Sequence, residues 1–445
     1  MYYWEEMATY KNKIDYFKNK SNTICPLPWI HVTTSPMGAF RPCCNTQLKL
    51  EHNGKRVDMR DGETFESVLH GPAMDKLRQQ MLDGERPSVC EPCYEVEDLG
   101  VKSYSQNYIE NFSDIVEFEN EEPISVLRYF DLKFDTTCNF RCRMCDPGSS
   151  NQIWEDIKVL DYQRKHHFAS KSILPVNWES YELKDKDKEQ FFQEEKYQDV
   201  LNNIEHLRVL KCTGGEPFIS KHFLAILREA VDRDVAKNIE LKLTTNGSKF
   251  FKPMLMILDK FKKVKLNISI DGVGSTYDYM RFPFKWNKFD SRMNELLEHI
   301  SNTEDPNKYN VQWSFLATAL NYLDTANVVS KYSEYKERYP ALEYVMNTNW
   351  IDVNLNMNPY DSELHIKYLP QHILKEGLDR CKSKNIPINI VEDLESFVNR
   401  INVDDKEVDN KNRRLKISTF SVDTARKLDH AKHIDPIVTE WLNNV

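Results

Sequence analysis

Short β-rich runs alternate with longer helical stretches through the middle of the chain, and this alternation restricts the possible folds more than any other feature. The β-rich runs are SVLRYFDLKFD, HLRVLKC, IELKLTTNG, VKLNISIDG, NVQWSFLATAL and EYVMNTNWIDVNLNM. Between them apolar residues recur at helical spacing, as in Lys221 to Asp234 and Phe289 to Ser301. Such alternation is typical of βαβ units. It predicts an α/β fold with a parallel sheet, either doubly wound or curled into a barrel.

Cysteine positions and composition divide the 445-residue chain, which is longer than one hydrophobic core usually organises. Five of the ten cysteines come before residue 100, and the acidic segment at 110–125 is typical of a linker. We therefore predict a cysteine-rich domain at 1–122, an α/β domain at 123–360 and a helical extension at 361–445. The stretch from about 155 to 200 is predicted to add an insertion to the first crossover helix.

Composition excludes several classes of protein. No apolar run approaches the roughly 18 residues of a membrane span, so no membrane contact is expected. A formal net charge of −9 without a long Lys/Arg stripe argues against general nucleic-acid binding. The N-terminus shows no secretion signal, which predicts a cytoplasmic protein. In that reducing compartment clustered cysteines are metal ligands or catalytic groups rather than disulfides.

Three cysteines stand close together in CNFRCRMC, at Cys138, Cys142 and Cys145, directly after the first β-rich run. They are predicted to lie at the carboxyl end of a strand, where parallel α/β folds build their active sites. A structural zinc site normally has four protein ligands, so three thiolates leave one coordination position open. Iron–sulfur clusters are also held by thiolates, usually four, and three would leave one iron free for a substrate or cofactor.

The C-x3-C-x2-C spacing in this position resembles the radical S-adenosylmethionine (SAM) superfamily. The resemblance implies a partial (β/α)6 TIM-like barrel and a [4Fe-4S] cluster that binds SAM. It also implies an enzyme that cleaves SAM reductively to a 5′-deoxyadenosyl radical, with an electron donor such as flavodoxin or ferredoxin as a partner. Three later phrases look like the same family, namely CTGGEPF, TTNG and SIDG.

The same resemblance implies contacts with SAM from the ends of several strands. Two glycines of CTGGEPF would let the backbone approach the ligand, and Glu216 would meet its ammonium group. Ser269 would contact the ribose, and Arg281 the carboxylate, which suits a planar guanidinium. Without the resemblance, GGE is an ordinary turn, and polar residues at strand ends also cap helices. The predicted SAM contacts are Met144, Gly214, Gly215, Glu216, Thr245, Asn246, Ser269 and Arg281.

A second cysteine set follows the pattern C-x12-G-x4-C and, after a gap, C-x2-C. Four thiolates suit a closed tetrahedral site, and the spacing alone indicates zinc. The pattern also looks like a twitch domain, one half of a SPASM domain, which holds an auxiliary [4Fe-4S] cluster; here it precedes the predicted barrel instead of following it. The predicted ligands are Cys25, Cys43, Cys90 and Cys93. Cys44 is interpreted as a buried neighbour or an alternate ligand.

The family resemblance implies an oxidoreductase or maturase, with oxidative modification of a peptide or protein side chain as the leading prediction. Dehydrogenation or epimerisation of a small polar molecule, such as a sugar or aminocyclitol, is the alternative. A zinc-stabilised binding protein is an alternative of another class. Among the remaining residues, Cys212 is interpreted as a core residue or an interior thiol, Asp271 as part of a turn, and His166 and His167 as surface residues.

Overall fold

The structure, a computed structural model, describes residues 13–35, 38–46, 48–166, 175, 178, 193–342, 351–354, 362–384 and 386–445, with the backbone alone at 166 and 351–354. Most of the predicted insertion, residues 167–192 apart from Pro175 and Trp178, lies outside the described residues. The predicted surface histidine His167 and the side chain of His166 lie outside them as well.

A large sheet forms the centre of the described chain. The strands in chain order are β1 (His31–Thr34), β2 (Phe40–Arg41), β3 (Glu51–His52), β4 (Lys55–Arg56), β5 (Glu117–Glu119), β6 (Glu122–Ile124), β7 (Tyr129–Leu132), β8 (Val209–Cys212), β9 (Glu240–Thr245), β10 (Lys263–Ser269), β11 (Tyr309–Leu316) and β12 (Ile351–Asn354). Eight of them form one sheet in the order β12-β11-β10-β9-β8-β7-β1-β2, while β3-β4 and β5-β6 are separate antiparallel pairs.

Strands β7 to β12 are all parallel and lie side by side in the order in which the sequence provides them. A doubly wound sheet instead reverses its strand order at a switch point. Strand β1 pairs in parallel with β7 and antiparallel with β2. The predicted α/β fold with a parallel sheet is therefore confirmed, and the N-terminal segment contributes two strands to the same sheet.

The long strands of the sheet alternate buried apolar residues with half-buried polar ones. In β10, Leu266 and Ile268 are buried, whereas Lys265 and Asn267 are partly exposed. Strands β9 and β11 follow the same pattern. Because successive side chains of a strand point to opposite sides, the sheet has one apolar face, which packs in the hydrophobic core, and one polar face.

Helices connect the strands and form most of the rest of the described chain. They are α1 (residues 13–19), α2 (Leu27–Ile30), α3 (Phe65–Leu69), α4 (Pro72–Leu82), α5 (Glu91–Asp98), α6 (Tyr104–Phe112), α7 (Ile153–His166), α8 (Gln193–Asn202), α9 (Lys221–Asp232), α10 (Lys252–Leu258), α11 (Ser275–Met280), α12 (Trp286–Ser301), α13 (Thr325–Arg338), α14 (Gln371–Ser383), α15 (Ile388–Arg400), α16 (Asp405–Arg426) and α17 (Pro436–Asn444). In α9 the residues Phe223, Ile226, Leu227 and Ala230 are buried at helical spacing, as its sequence predicts.

The segment at 110–125, which the sequence predicts to be a linker, is folded and packed in the structure. The segment contains the end of α6 and the hairpin β5-β6, and Phe112 and Val116 within it are buried. The ring of Phe118 packs edge-on against Tyr16 of α1, with 5.2 Å between the centroids. The acidic composition of the segment did not indicate these apolar contacts. The division of the chain into three domains stays a prediction.

Helix α16, in the C-terminal part of the chain, packs against α7. Val422 of α16 joins a small second core with Ile153, Trp154 and Ile157 of α7. The same core includes Trp178, whose indole Nε1 donates to the carbonyl oxygen of Cys145 at 2.7 Å. Helix α16 therefore lies beside the segment that follows β7. Among the helices that the structure describes, none is both long enough and apolar enough to cross a membrane.

Candidate functional site

The three-cysteine loop runs from the end of β7 to the start of α7 and is held by polar contacts at both ends. The carboxylate of Asp135 accepts a bond from Thr137 N at 2.7 Å and one from the Ser220 hydroxyl at 3.2 Å. At the other end, the Asn151 side-chain oxygen accepts the N–H of Cys138 at 3.2 Å. The loop is therefore tied to the turn after β8 as well as to its own helix.

The thiols of the three-cysteine loop meet at the carboxyl end of the sheet. Cys142 and Cys145 share a hydrogen bond, and Arg281 Nη1 donates to the sulfur of Cys142 at 3.5 Å. The side-chain nitrogen of Asn246 lies 3.9 Å from the sulfur of Cys138. The hydrogen bond from Cys145 and the charge of Arg281 lower the pKa of Cys142 to about 7, although burial opposes them. Burial raises the pKa of Cys138 to about 12.

The two glycines of the GGE motif allow the turn after β8 to approach the three-cysteine loop. Gly214 and Gly215 have φ values of +76° and +54°. A Cβ built on Gly215 would lie 2.4 Å from the carbonyl oxygen of Thr137, and one on Gly214 would overlap the side chain of Lys133. The glycines therefore permit close contact between two segments of the protein, whereas the sequence had suggested close contact with a ligand.

Glu216, the third residue of the motif, joins the ends of β8 and β9. Its carboxylate is buried and accepts bonds from the Thr245 hydroxyl at 2.7 Å, from Asn246 N at 2.7 Å and from Phe218 N at 3.2 Å. Burial raises the pKa of this carboxyl, and these hydrogen bonds oppose the shift. The side chain of Asn246 donates to Asn139 of the cysteine loop at 2.9 Å. The motif thus orients Asn246 towards the thiols.

Arg281 is buried between the cysteine loop and Asp271. Its Nε lies 2.5 Å from Asp271 Oδ2, and the other oxygen of Asp271 accepts the N–H of Leu316 at 3.0 Å. Burial acts to lower the pKa of Arg281, but the nearby charges of Asp271 and Cys142 together raise it. Asp271, which the sequence suggested only as a turn residue, thus holds the guanidinium against the sulfur of Cys142.

Two other predicted SAM contacts occupy different surroundings. Ser269 is the last residue of β10, lies on the polar face and pairs in register with Ser314. Met144 is partly buried against the hydrophobic core.

Cys212 is 1 % exposed and lies on the apolar face, so it is a core residue.

The arginines of the cysteine loop, for which the sequence suggested no role, form buried ion pairs. Arg143 pairs with Asp423 of α16, and its guanidinium carbon lies 4.2 Å from the centroid of the Tyr279 ring. Arg141 pairs with Asp156 at 2.7 Å, and Arg426 of α16 pairs with the same carboxylate at 2.7 Å. In the sequence, only the presence of two charges between closely spaced cysteines hints at these contacts.

The predicted auxiliary ligands come together, and Cys44 lies apart from them. Cys25, Cys43, Cys90 and Cys93 line one mainly apolar cavity, which Cys44 does not line. The sulfur of Cys44 instead accepts a bond from Lys211 Nζ at 3.4 Å. Burial raises the pKa of Cys43 to about 12 and also raises that of Cys25.

Backbone donors surround the thiols of this cavity. N–H groups of Leu27, Asn45 and Ser105 donate to Cys25, Cys43 and Cys93 in that order. Such donors are common around the sulfurs of iron–sulfur clusters. Within the described ranges, no group of three or more His, Cys, Asp or Glu side chains is arranged to hold a single metal ion.

The polar face of the sheet carries a row of three lysines, Lys211, Lys242 and Lys265, which are register neighbours on β8, β9 and β10. Lys211 pairs with Asp131 at 2.8 Å, and Lys242 with Glu240 at 3.3 Å. Burial lowers the pKa of Lys242 and of Lys265. This face therefore presents charged and hydrogen-bonding groups in a partly dehydrated setting.

Two asparagines lie beside the lysine row. Asn267 lies two residues after Lys265 on the same face of β10, and Asn310 is the register neighbour of Lys265 on β11. The side-chain oxygens of both are buried without a hydrogen-bond partner in the described part of the chain. Buried polar atoms normally have partners, so these two oxygens are unsatisfied acceptors beside the polar face of the sheet.

Comparison with known families identifies the central part of the chain. Residues 132–305 match the family model described as the radical SAM superfamily. The match begins at the last residue of β7 and includes the three-cysteine loop, the GGE motif and the end of β10. The chain therefore contains a radical SAM domain. Such a domain implies a [4Fe-4S] cluster and SAM, and members of the superfamily are enzymes. The search of curated proteins found no match.

Proposed function

We propose that this protein is a radical SAM enzyme in which Cys138, Cys142 and Cys145 bind a [4Fe-4S] cluster with one iron left for SAM. The observation that carries the proposal is the convergence of the buried thiol of Cys142 and the partly buried thiols of Cys138 and Cys145 with hydrogen-bond donors from Asn246 and Arg281. Hydrogen bonds to thiolate ligands are a general means by which proteins tune iron–sulfur clusters. The bound cluster and SAM supply a 5′-deoxyadenosyl radical that abstracts hydrogen from the substrate.

Several predicted SAM contacts are proposed to act through the groups they orient. Glu216 orients Asn246 and Thr245, since its carboxylate accepts bonds from both. Asp271 orients Arg281, which is then directed to the cluster as well as to the carboxylate of SAM. Ser269 lies at the same edge of the sheet, on the polar face, where the ribose is proposed to bind. Met144, Gly214 and Gly215 are proposed as backbone neighbours of SAM.

We propose that the N-terminal cysteines bind an auxiliary [4Fe-4S] cluster, as in a twitch domain. The shared cavity of Cys25, Cys43, Cys90 and Cys93 supports this set, and the contact between Cys44 and Lys211 favours Cys43 over Cys44 as the ligand. Four protein ligands leave no iron free for the substrate. A closed cluster of this kind suits the removal of an electron from a substrate radical, which makes the net reaction an oxidation.

The substrate is proposed to bind against the polar face of the sheet, which we propose curves into a partial (β/α)6 barrel. The sequential strand order of β7 to β12 supports this curvature, because barrels lack the reversal of doubly wound sheets. A polar side chain of a peptide or protein fits such a face. A small polar molecule, such as a sugar or aminocyclitol, is favoured by the buried oxygens of Asn267 and Asn310, which its hydroxyl groups would satisfy. The cytoplasmic location and the flavodoxin or ferredoxin partner stay predictions.

Anaerobic reconstitution with iron and sulfide, followed by incubation with SAM and a reductant, tests the proposed function. The wild-type protein is expected to bind about eight irons per chain and to release 5′-deoxyadenosine. Cys142→Ala is expected to lose about four irons and all product, whereas Cys381→Ala, at a buried position in α14, is the matched control and is expected to retain both. Zinc in place of iron, or no product from a fully iron-loaded protein, would contradict the proposal.

A further inference from the structure

We propose that helix α16 positions the three-cysteine loop for cluster binding through two buried ion-pair clusters, an inference that rests on the proposed function. The Arg143 cluster consists of Arg143, Asp423, Tyr279 and His430, and the Asp156 cluster consists of Asp156, Arg141 and Arg426. Each cluster joins one arginine of the loop to α16 or its C-terminal flank. Asp423 and Arg426 are therefore assigned as positioning residues.

The Arg143 cluster is centred on the carboxylate of Asp423, which is 4 % exposed. Its Oδ1 pairs with Arg143 and accepts the Tyr279 hydroxyl at 2.9 Å. Its Oδ2 accepts the N–H of His430 at 3.1 Å and contacts Nδ1 of the same residue at 3.0 Å. A buried charge is tolerated only when such partners surround it, so these four contacts define one position for the Arg143 side chain relative to α16.

The Asp156 cluster places one carboxylate between two arginines from distant parts of the chain. Asp156 and the side chain of Arg426 are both fully buried, and Arg426 donates to Asp156 Oδ2 from Nε at 3.0 Å and from Nη2 at 2.7 Å. Arg141 donates to the other oxygen at 2.7 Å. Both guanidinium groups lie over the ring of Phe282, at 4.9 and 5.4 Å from its centroid. The carboxylate of Asp156 in α7 thus links the three-cysteine loop to α16.

The position of Cys142 between the two arginines shows what the clusters hold in place. The backbone N–H groups on either side of Cys142 also pair with the segment that carries Arg281, from Arg141 to Phe282 O at 2.6 Å and from Arg143 to Met280 O at 3.0 Å. The side chains of the two arginines are held in addition by ion pairs, Arg143 with Asp423 of α16 and Arg141 with Asp156 of α7. Together these contacts set the distance between the Cys142 sulfur and the Arg281 guanidinium.

A gain in stability is a poor explanation for the presence of buried ion pairs, because well-packed apolar groups of similar volume often stabilise a protein as well or better. Positioning accounts for them directly, since both pairs flank a proposed cluster ligand. Breaking either ion-pair cluster is therefore expected to release the three-cysteine loop locally while the core of the sheet stays closed. The same variants are expected to have altered properties of the iron–sulfur cluster.

Alkylation of the metal-free protein by iodoacetamide, read at each cysteine by mass spectrometry, tests local release. Asp423→Asn is expected to raise the alkylation rate of Cys142 by at least about tenfold, while Cys212 in the core stays protected. Arg426→Lys, which keeps the charge but loses the paired donation, provides a milder second variant if Asp423→Asn folds poorly. Glu407→Gln is the matched control, because it removes the charge of another carboxylate in the same helix, one that accepts the Tyr368 hydroxyl at 2.7 Å in the first turn.

Electron paramagnetic resonance of the reconstituted and reduced proteins gives the second readout. Asp423→Asn and Arg426→Lys are expected to change the signal of the SAM-binding cluster and its response to SAM, whereas Glu407→Gln is expected to match the wild type. Equal alkylation of Cys142 and Cys212 would show general unfolding and would overturn the positioning role. Wild-type behaviour of both variants would overturn it as well. Selective release of Cys142 in the two variants, together with a wild type that binds no iron–sulfur cluster, would instead contradict the proposed function and leave the positioning role intact.

Discussion

The Gly215→Ala variant tests whether the GGE motif sets the position of the three-cysteine loop. Gly215 has a φ of +54°, and the added Cβ would lie 2.4 Å from the carbonyl oxygen of Thr137. That same carbonyl accepts the N–H of Glu216 at 2.8 Å, so the turn and the loop cannot separate without weakening this hydrogen bond. Because Thr137 directly precedes Cys138, relief of the overlap must move the first ligand of the proposed cluster.

Two contributions determine the expected loss of stability. A left-handed backbone costs a non-glycine residue about 1–2 kcal/mol. The overlap with a backbone oxygen adds a further cost typical of overpacking, about 1–3 kcal/mol. Gly54 in the β3-β4 hairpin provides the control, since its φ is +71° but no atom lies within 4 Å of a Cβ built there. Gly54→Ala therefore carries the backbone cost alone.

Urea denaturation of the metal-free variants and iron analysis after reconstitution measure these effects. Gly215→Ala is expected to lower the free energy of unfolding by about 2–5 kcal/mol, and Gly54→Ala by about 1–2 kcal/mol. Only Gly215→Ala is expected to lose about four irons per chain. If the two variants have the same stability and the same iron content, the close approach of the turn to the loop does not position Cys138.

Three further predictions concern single side chains. Cys43→Ser is expected to lose about four irons per chain and Cys44→Ser none, and the opposite result in iron analysis would make Cys44 the auxiliary ligand. Burial lowers the pKa of His31 to about 4, whereas an unfolded histidine titrates near about 6.5. The unfolded state therefore binds the extra proton between these pH values, so stability is lost as the pH falls through that window, by about 3 kcal/mol in all. His31→Phe is expected to remove this component from urea midpoints measured at pH 4 to 7, and an unchanged pH dependence would contradict the assignment. Glu216→Gln places an amide nitrogen among three hydrogen-bond donors. We therefore expect the free energy of unfolding, measured by urea denaturation, to fall by about 1–3 kcal/mol. A wild-type midpoint would show that the three hydrogen bonds contribute little.

The local sequence pattern was sufficient to predict the central sheet and the region of the proposed site. Apolar residues at strand and helix spacing depend only on neighbouring positions, so they predicted the parallel sheet before its pairing was known. Spacing also predicted that Cys138, Cys142 and Cys145 follow a strand, and the radical SAM match includes all three. The acidic segment before β7 is the counterexample, because its composition outweighed the few apolar residues that anchor it.

Contacts between distant parts of the chain were decided only by the tertiary structure. The sequence does not show whether a charged residue is solvated or buried. It therefore does not predict the pairing of Arg143 with Asp423, or the pairing of Arg141 and Arg426 with the same carboxylate. The G-x4-C spacing selected Cys43 over the adjacent Cys44, but only the folded chain shows that Cys43 lines a cavity and that Cys44 contacts Lys211. The sequence thus determined which elements form and where the cysteines stand among them. The packing of those elements determined which partners each buried charge and thiol meets, because desolvation makes every such group depend on its neighbours.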